Sequence, residues 1–288
     1  MSSVITAEKR KVADYKGDER PTWCPGCGDF GVLNAVFKAL SEHNFDPKDV
    51  IIVSGIGCSS RLPFFTDAYG FHTVHGRAMP VAAGIRAVRP EMPVLAMGGD
   101  GDAFAIGVGH LIHAIRRNLN ICYVVMDNAV YGLTKGQTSP TAERGLATKA
   151  TPQGASDPAV NPLLLALATG CTYVARGFSS KPKELADLIA RGIAHQGFAF
   201  IDTYSPCPTF NTVNTFKYYR DATEDLPVDF DPTNFNTALQ FAASEDPLYL
   251  GLFYQDEQPT FEDRILSNRP EETSSPMTVV ENLFEQMS

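Results

Sequence analysis

Two groups of residues in this sequence have the types and spacing needed to hold phosphates or metal ions. The first is the segment GGDGDAF at residues 98–104, together with Asn128, which lies 28 residues after Asp100. Glycines let a backbone approach a diphosphate closely, and a helix that begins near Ala105 would offer its positive N-terminal end. Mg²⁺ takes oxygen ligands, some of them from phosphates. The sequence therefore predicts a diphosphate and Mg²⁺ site, with Asp100, Asn128 and the main-chain carbonyl of Val130 as ligands.

A tight turn between a strand and a helix is the alternative interpretation of these glycines, because such turns are common. The segment DNAVYG at residues 127–132, which follows the next predicted strand, makes that alternative weaker. A G-D-G segment paired with a later asparagine resembles the diphosphate-binding signature of thiamine diphosphate enzymes.

Four of the six cysteines form the second group. Cys24 and Cys27 make a C-x-x-C pair beside proline and glycine, and two thiolates at this spacing can bind one metal centre without backbone strain. Cys58 and Cys207 each follow a predicted strand and are the best candidates for two further ligands. Four thiolates fit either structural zinc or an iron–sulfur cluster. The cluster is slightly favoured, because zinc sites usually combine two C-x-x-C pairs.

Apolar, β-branched runs alternate with longer helical patterns, as in parallel strands joined by crossover helices. The predicted strands cover residues 49–54, 93–97, 121–126, 172–175 and 198–203, and the predicted helices cover 30–43, 80–88, 105–118, 162–169 and 182–195. Cys122 and Cys171 lie in a strand and beside a helix end, where small buried thiols are expected. The candidate segments follow strands, and ligands of open parallel sheets bind at the carboxyl ends of the strands. The predicted fold is α/β, with a mostly parallel sheet flanked by helices.

Length and composition fit a globular protein with a full hydrophobic core, since 44% of the 288 residues are apolar and 20% are charged. The net charge of −9 disfavours nucleic acid as a partner. No apolar run approaches the roughly 20 residues that span a bilayer, and the N-terminal residues lack an apolar leader, so we expect a cytoplasmic protein without a membrane partner. We predict an N-terminal arm at 1–22, a cofactor-binding domain at 23–219, and an irregular acidic C-terminal tail at 220–288, which wraps a neighbour or its own site and is partly disordered at its end.

Six segments together resemble the β subunit of 2-oxoacid:ferredoxin oxidoreductases over roughly residues 20–219. They are W-C-P-G-C-G, G-I-G-C-S-S-R, H-G-R-A, G-G-D-G-D, D-N-A-V-Y-G-L-T-K-G-Q-T-S-P-T and C-P-T-F-N, in this order. The resemblance implies a thiamine diphosphate-binding fold. It also implies that the four cysteines hold a 4Fe-4S cluster and that Asp100, Asn128 and Val130 bind Mg²⁺.

The same resemblance assigns residues around thiamine diphosphate. The implied cofactor contacts are Ile56, Gly57, Cys58, Ser59, His75, Gly101, Asp102, Tyr131, Gly132, Leu133 and Thr134. Arg61 is placed to bind a substrate carboxylate through two parallel hydrogen bonds, although the family often has lysine there. A surface ion pair is the alternative role for Arg61, and a structural histidine is the alternative for His75.

The implied reaction is oxidative decarboxylation of a 2-oxoacid, or its reverse, with thiamine diphosphate as the electron sink. The cluster removes the electrons one at a time, ferredoxin accepts them, and coenzyme A accepts the acyl group. Because the chain has one diphosphate-type domain, we expect an obligate α subunit that supplies the aminopyrimidine glutamate, in a heterodimer or a dimer of heterodimers. The segment Y-G-L-T-K-G-Q-T-S-P-T favours 2-oxoglutarate, with pyruvate or broad 2-oxoacid specificity second.

Two other classes of protein are compatible with part of the sequence. A non-oxidative thiamine decarboxylase or carboligase subunit would use Asp100 and Asn128 but would leave the cysteines unexplained. A non-catalytic electron-transfer or zinc-binding subunit would use the cysteines but would leave GGDGD unexplained.

Overall fold

The computed structural model describes residues 9–267 and 276–287, and eight strands in these ranges form one main sheet. In spatial order they are β2 (Tyr69–His72), β1 (Ile51–Ser54), β3 (Val94–Gly99), β4 (Ile121–Asp127), β8 (Phe198–Tyr204), β7 (Tyr173–Phe178), β10 (Leu248–Gln255) and β9 (Thr223–Asp225). Neighbouring strands run parallel, except that β7 and β10 are antiparallel. A small hairpin joins β5 (Val130–Tyr131) to β6 (Gln137–Thr138). The predicted α/β fold with a mostly parallel sheet is confirmed.

Helices cover both faces of the main sheet, because its central strands are apolar on both sides. Every residue of β4 is buried, and alternate residues of this strand join two separate hydrophobic clusters. One cluster includes α1 (Asp29–His43) and α5 (Pro182–Ala194), and the other includes α2 (Ala78–Val88), α3 (Val108–Arg116), α4 (Pro162–Ala168) and α7 (Phe235–Ala242). The further helices are α6 (Phe216–Ala222), α8 (Phe261–Ser267) and α9 (Pro276–Met287). No helix in the described ranges is long and apolar enough to cross a membrane.

The carboxyl ends of β1, β3, β4 and β8 lie side by side, because these strands are parallel neighbours. The chain becomes helical at Asp100, directly after β3, and a π-helical segment, Asp102–Ile106, leads into α3. The predicted helix start near Ala105 is therefore too late. The glycines at the end of β3 allow neighbouring side chains to approach closely, since a Cβ atom at Gly98 would lie 2.4 Å from the Tyr123 hydroxyl and one at Gly99 would lie 2.8 Å from Ser59 Oγ.

The C-terminal segment is more regular than its acidic, proline-rich composition indicates. β9 and β10 extend the main sheet beyond β7, so the expectation of an irregular tail is corrected for these residues. Sequence patterns do not reveal β10 as a strand of this sheet, because its pairing partner β7 lies far back in the chain. Partial disorder is predicted for the end of the chain, where the structure describes α9 over Pro276–Met287, while residues 268–275 and 288 lie outside the described residues.

Asn118 joins three distant parts of the chain beside the main sheet. Its side-chain oxygen accepts hydrogen bonds from Thr172 Oγ1 and from the backbone N–H of Phe198, both at 2.8 Å. Its side-chain nitrogen donates to the carbonyls of Gln258 and Pro259 at 3.1 and 3.3 Å. Because Asn118 is buried, removal of its amide would leave these groups without partners.

We expect Asn118→Ala to lower the free energy of unfolding by about 2–4 kcal/mol, because it breaks a buried hydrogen-bond network. The left-handed backbone at Asn118 (φ 51°) adds to the loss, since alanine tolerates it less well than asparagine. Urea unfolding followed by circular dichroism measures the change. The control is Asn120→Ala, because the Asn120 side-chain amide donates a surface hydrogen bond to Gln196 Oε1. Equal losses in the two variants would contradict the prediction.

Candidate active site

A cavity of about 160 Å³ opens at the carboxyl ends of β1, β3 and β4. Its wall contains every residue that the sequence predicts to contact thiamine diphosphate or Mg²⁺: Ile56, Gly57, Cys58, Ser59, His75, Asp100, Gly101, Asp102, Asn128, Val130, Tyr131, Gly132, Leu133 and Thr134. Gly99 is also part of the wall. The fold thus brings separate segments of the chain to one cavity. The role of each residue toward a cofactor stays a prediction.

Asp102 connects three turns on one side of this cavity. Its Oδ1 accepts hydrogen bonds from the backbone N–H groups of Ile56 and Gly76, at 2.9 and 2.8 Å. His75 Nδ1 lies 3.0 Å from the same oxygen. Burial raises the pKa of Asp102, and the two N–H groups and His75 oppose this change. Asp102 therefore fixes the turns that carry Ile56 and His75.

Gly101 allows the hairpin of β5 and β6 to pack tightly against the turn after β3. A Cβ atom at Gly101 would lie only 2.2 Å from Cε1 of Tyr131, which is far inside contact distance. The Tyr131 hydroxyl lies 3.5 Å from the Gly101 carbonyl oxygen. A side chain at position 101 would therefore displace the segment that carries the predicted Mg²⁺ ligands.

Asp100 is held by hydroxyl groups from the loop that follows β6. Its Oδ2 accepts hydrogen bonds from Ser139 Oγ at 2.6 Å and from Thr141 Oγ1 at 2.9 Å. Thr141 Oγ1 also lies 2.7 Å from Oδ1 of Asp127, a second buried carboxyl group. Burial, followed by the neighbouring Asp100, raises the pKa of Asp127 to about 8. Burial also raises the pKa of Asp100. Two buried carboxyl groups so close together favour a cation between or beside them.

This carboxyl pair predicts how stability depends on pH. The pKa of Asp127 is about 8 in the folded chain and has its ordinary value of 3.8 in the unfolded chain, so the folded chain binds this proton more tightly. The stability that the bound proton contributes is therefore lost as the pH rises towards about 8. Mg²⁺ favours the ionised carboxylates, so we expect Mg²⁺ with thiamine diphosphate to raise the melting temperature more at pH 8 than at pH 6. Thermal unfolding at both pH values measures this. Asp127→Asn is expected to flatten the pH dependence, and an unchanged slope in that variant would contradict the assignment.

Asn128 has a defined conformation at the wall of the cavity. Its side-chain oxygen accepts a hydrogen bond from the backbone N–H of Val130 at 3.1 Å, across a left-handed Ala129 with φ 61°. Its carbonyl accepts a hydrogen bond from Asn211 Nδ2 at 3.0 Å. The turn places Asn128 and Val130 beside Asp100 in one wall, which fits the oxygen donor set that Mg²⁺ prefers.

Hydrogen bonds join the loops of the four candidate cysteine ligands. Trp23, which precedes the C-x-x-C pair, donates from Nε1 to the carbonyl of Cys58 at 2.6 Å. Gly28, which follows the pair, donates from its backbone N–H to the carbonyl of Pro206 at 3.0 Å, next to Cys207. The C-x-x-C loop is therefore attached to both of the other cysteine loops.

The cysteine side chains themselves lie close to one another. A Cβ atom at Gly132 would lie 3.5 Å from Cys58 Sγ and 3.6 Å from Cys207 Sγ, so both sulfurs face the same glycine. Burial raises the pKa of Cys58 to about 11, with smaller contributions from Asp29 and from Cys207 and Cys24. Burial likewise raises the pKa of Cys27, which Cys207 and Cys58 also influence. Within the described part of the chain, no three Cys, His, Asp or Glu side chains already surround one point as ligands of a single ion.

Arg61 does not belong to the wall of the cavity. It lies in the short helical segment Ser59–Phe65, and its guanidinium is 5.8 Å from the centre of the Phe65 ring. Its backbone N–H donates to the carbonyl of Cys58 at 3.2 Å, so Arg61 lies one turn after this cysteine. The predicted contact with a substrate carboxylate stays a prediction.

Sequence reasoning missed three polar residues that support the site, namely Asp127, Ser139 and Thr141. Asp127 directly precedes Asn128, and the two hydroxyls lie in the segment Q-T-S-P-T. No strand or helix periodicity could have found the two hydroxyls, because both lie in the loop after β6.

A glycine-lined cavity at the ends of parallel strands, with a buried aspartate and an asparagine on neighbouring turns, defines the class of thiamine diphosphate-binding proteins. Residues 55–203 match the family described as thiamine pyrophosphate enzyme, C-terminal TPP binding domain. Residues 207–268 match the family that describes the C terminal part of the pyruvate ferredoxin oxidoreductase beta chain. The chain belongs to the 2-oxoacid:ferredoxin oxidoreductase β subunits.

Individual relatives agree with this membership. The chain is 44% identical to a 2-oxoacid:ferredoxin oxidoreductase subunit beta from Sulfolobus over 263 residues, which cover 86% of each protein. It is 43% identical to the 2-oxoglutarate oxidoreductase subunit KorB of Mycobacterium tuberculosis over 206 residues, covering 72% of this chain and 55% of that protein. A solved structure of 2-oxoglutarate:ferredoxin oxidoreductase from Magnetococcus marinus, with 2-oxoglutarate, coenzyme A and succinyl-CoA bound, superimposes with a TM-score of 0.92 at 42% identity. That superposition covers 96% of this chain and 97% of the other.

Proposed function

We propose that this β subunit takes part in the oxidative decarboxylation of 2-oxoglutarate, or in the reverse carboxylation, with coenzyme A and ferredoxin. The observation that carries the proposal is the single cavity that contains all the predicted thiamine diphosphate and Mg²⁺ residues. The relatives that are named for 2-oxoglutarate support this substrate. The family match over residues 207–268 supports pyruvate as the second candidate, and the Sulfolobus relative supports a broad 2-oxoacid specificity.

Thiamine diphosphate, when bound, supplies the carbanion that attacks the 2-oxo carbon and the electron sink for loss of carbon dioxide. We assign Asp100, Asn128 and the Val130 carbonyl to Mg²⁺, because these oxygen donors lie in one wall. The start of the helical segment at Asp100 is suited to bind a diphosphate through its backbone N–H groups. His75 is proposed to lie close to the reacting atoms.

We further propose that Cys24, Cys27, Cys58 and Cys207 hold a 4Fe-4S cluster. The proposal is supported by the hydrogen bonds between their loops and by the shared contact of two sulfurs with Gly132. Zinc is the alternative metal for four thiolates. Iron and sulfide analysis of anaerobically purified protein distinguishes the two, and zinc without iron would contradict the cluster.

The subunit name of the relatives implies an α subunit as partner. We propose that the α subunit is obligate, supplies the glutamate that activates the aminopyrimidine, and forms a heterodimer or a dimer of heterodimers with this chain. Ferredoxin, coenzyme A and the 2-oxoacid complete the set of proposed partners. Arg61 is proposed to bind the substrate carboxylate where the two subunits meet.

All the proposed cofactor ligands lie within residues 23–219, which we propose as the cofactor-binding domain. Residues 1–22 are then the N-terminal arm, and residues 220–288 are a C-terminal segment whose strands complete the sheet. The cytoplasmic location expected from the sequence stays a proposal.

The test is an anaerobic assay of the copurified αβ complex with coenzyme A and a viologen dye. We expect kcat/KM for 2-oxoglutarate to exceed that for pyruvate by at least about tenfold, because the second carboxylate of 2-oxoglutarate needs a charged partner in the site. Equal values would make the assignment of 2-oxoglutarate wrong. A preference for pyruvate would establish the second candidate.

A further inference from the structure

The asparagine at the end of the C-P-T-F-N motif has no role in the function proposed so far. Asn211 is 1% exposed, and its side-chain amide is fully hydrogen-bonded. Its Oδ1 accepts the backbone N–H groups of Val213 and Asn214, both at 3.0 Å. Its Nδ2 donates to Asn214 Oδ1 at 2.9 Å and to the carbonyl of Asn128 at 3.0 Å. A buried amide with four partners is rigid, and its loss leaves several groups unpaired.

These contacts connect the two candidate cofactor sites. The backbone N–H of Asn211 donates to the carbonyl of Cys207 at 2.9 Å, so the residue closes the turn that carries a candidate cluster ligand. The side chain of the same residue reaches the carbonyl of Asn128, a candidate Mg²⁺ ligand. One residue therefore bonds to the cysteine loop through its main chain and to the metal-binding loop through its side chain.

Gly132 provides a second contact between the same two regions. It lines the cofactor cavity, and a Cβ atom at this position would touch the sulfurs of Cys58 and Cys207. Cys58 belongs to the cavity wall itself, and Gly132 lies between the cavity and the sulfur of Cys207. At this distance, a small movement of the Cys207 loop would alter the spacing between a cluster and thiamine diphosphate.

We propose that Asn211 is a positioning residue that fixes the Cys207 loop against the Asn128 loop and so sets the distance and orientation between the cluster and the thiamine site. The inference rests on the proposed function, because it requires both cofactors. Asn211 does not line the cofactor cavity; it acts through the carbonyls of Cys207 and Asn128.

The test compares Asn211→Ala with Asn214→Ala in the intact αβ complex. Asn214→Ala removes one partner of the same amide but leaves the bond to Asn128 in place, so it is a matched control. We expect the Asn211→Ala complex to retain iron and thiamine diphosphate. The electron paramagnetic resonance spectrum of its dithionite-reduced cluster is expected to show altered g values. After mixing with 2-oxoacid and coenzyme A, its cluster is expected to be reduced about tenfold more slowly. In the control, the rate of cluster reduction is expected to stay within about twofold of the rate in the unmodified complex.

Each outcome bears on the proposal. Unchanged g values and an unchanged reduction rate in Asn211→Ala would overturn it, and so would equal effects in both variants. If Asn211→Ala does not assemble, Asn211→Ser is used instead, since a serine hydroxyl can still accept the turn N–H groups but is too short to reach Asn128. Normal spectra and rates in the serine variant would overturn the proposal as well. Absence of iron from the unmodified complex would instead refute the proposed cluster, so the two failures are distinguishable.

Discussion

Asp100→Asn is expected to remove thiamine diphosphate from the purified complex and to lower kcat/KM by on the order of a thousandfold, which corresponds to about 4 kcal/mol of lost transition-state stabilisation. The substitution keeps the shape of the side chain but removes the charge that a hard cation needs. Asp100 is buried beside Asn128 and Val130 in the cavity wall, so water cannot easily replace it. Thiamine content after gel filtration and steady-state kinetics with a viologen dye measure the two effects.

Asp127→Asn is the informative comparison, because Asp127 is the second buried carboxyl group beside Thr141. Asp127 lies outside the cavity wall, so we expect a smaller loss of affinity for Mg²⁺, about tenfold to a hundredfold, as for residues that orient a metal ligand. If Asp127→Asn loses thiamine diphosphate while Asp100→Asn retains it, the assignment of the two carboxyl groups must be exchanged.

Cys58→Ala is expected to abolish reduction of ferredoxin or viologen while the complex still binds thiamine diphosphate. Cys58 is the candidate ligand that lies in the wall of the cofactor cavity, and its sulfur faces Gly132 together with Cys207. Loss of one of four thiolates should release the cluster, since the thiolates are its protein ligands. Iron content, visible absorbance and bound thiamine, measured on the same sample, separate the two cofactors.

Cys171→Ala is the matched control for a cysteine substitution. Cys171 is buried as the sequence predicts, and its sulfur lies near the carbonyls of Tyr173 and Phe198, away from the cavity. Iron content and dye reduction in this variant should equal those of the unmodified complex. Full iron content in Cys58→Ala, or equal iron loss in both variants, would refute Cys58 as a ligand.

The sequence was sufficient to locate the cavity, because the strands that end there are apolar and bounded by glycines. Asp100 and Asn128 follow β3 and β4 directly, and parallel pairing of these strands brings the two residues together. The same reasoning places Cys58 after β1 and Cys207 after β8. The sequence therefore predicts the location of a site residue when that residue directly follows a buried strand.

Other parts of the site and fold depend on contacts that local patterns do not encode. Asp127 and Thr141 become neighbours because the hairpin of β5 and β6 brings the chain back to the end of β4. Arg61 lies in a short helical segment, where its direction follows from packing and not from periodicity. β10 becomes part of the sheet only through its antiparallel pairing with β7.

The pairing of β10 with β7 also has a consequence for how the protein is made. Leu248 at the start of β10 follows Tyr173 at the start of β7 by 75 residues, so β7 leaves the ribosome well before the strand that covers its outer edge. Until then, a nascent chain carries an open β-edge, which is a site for unwanted association. Copies that terminate before Leu248 should therefore aggregate during translation and not accumulate as free subunits.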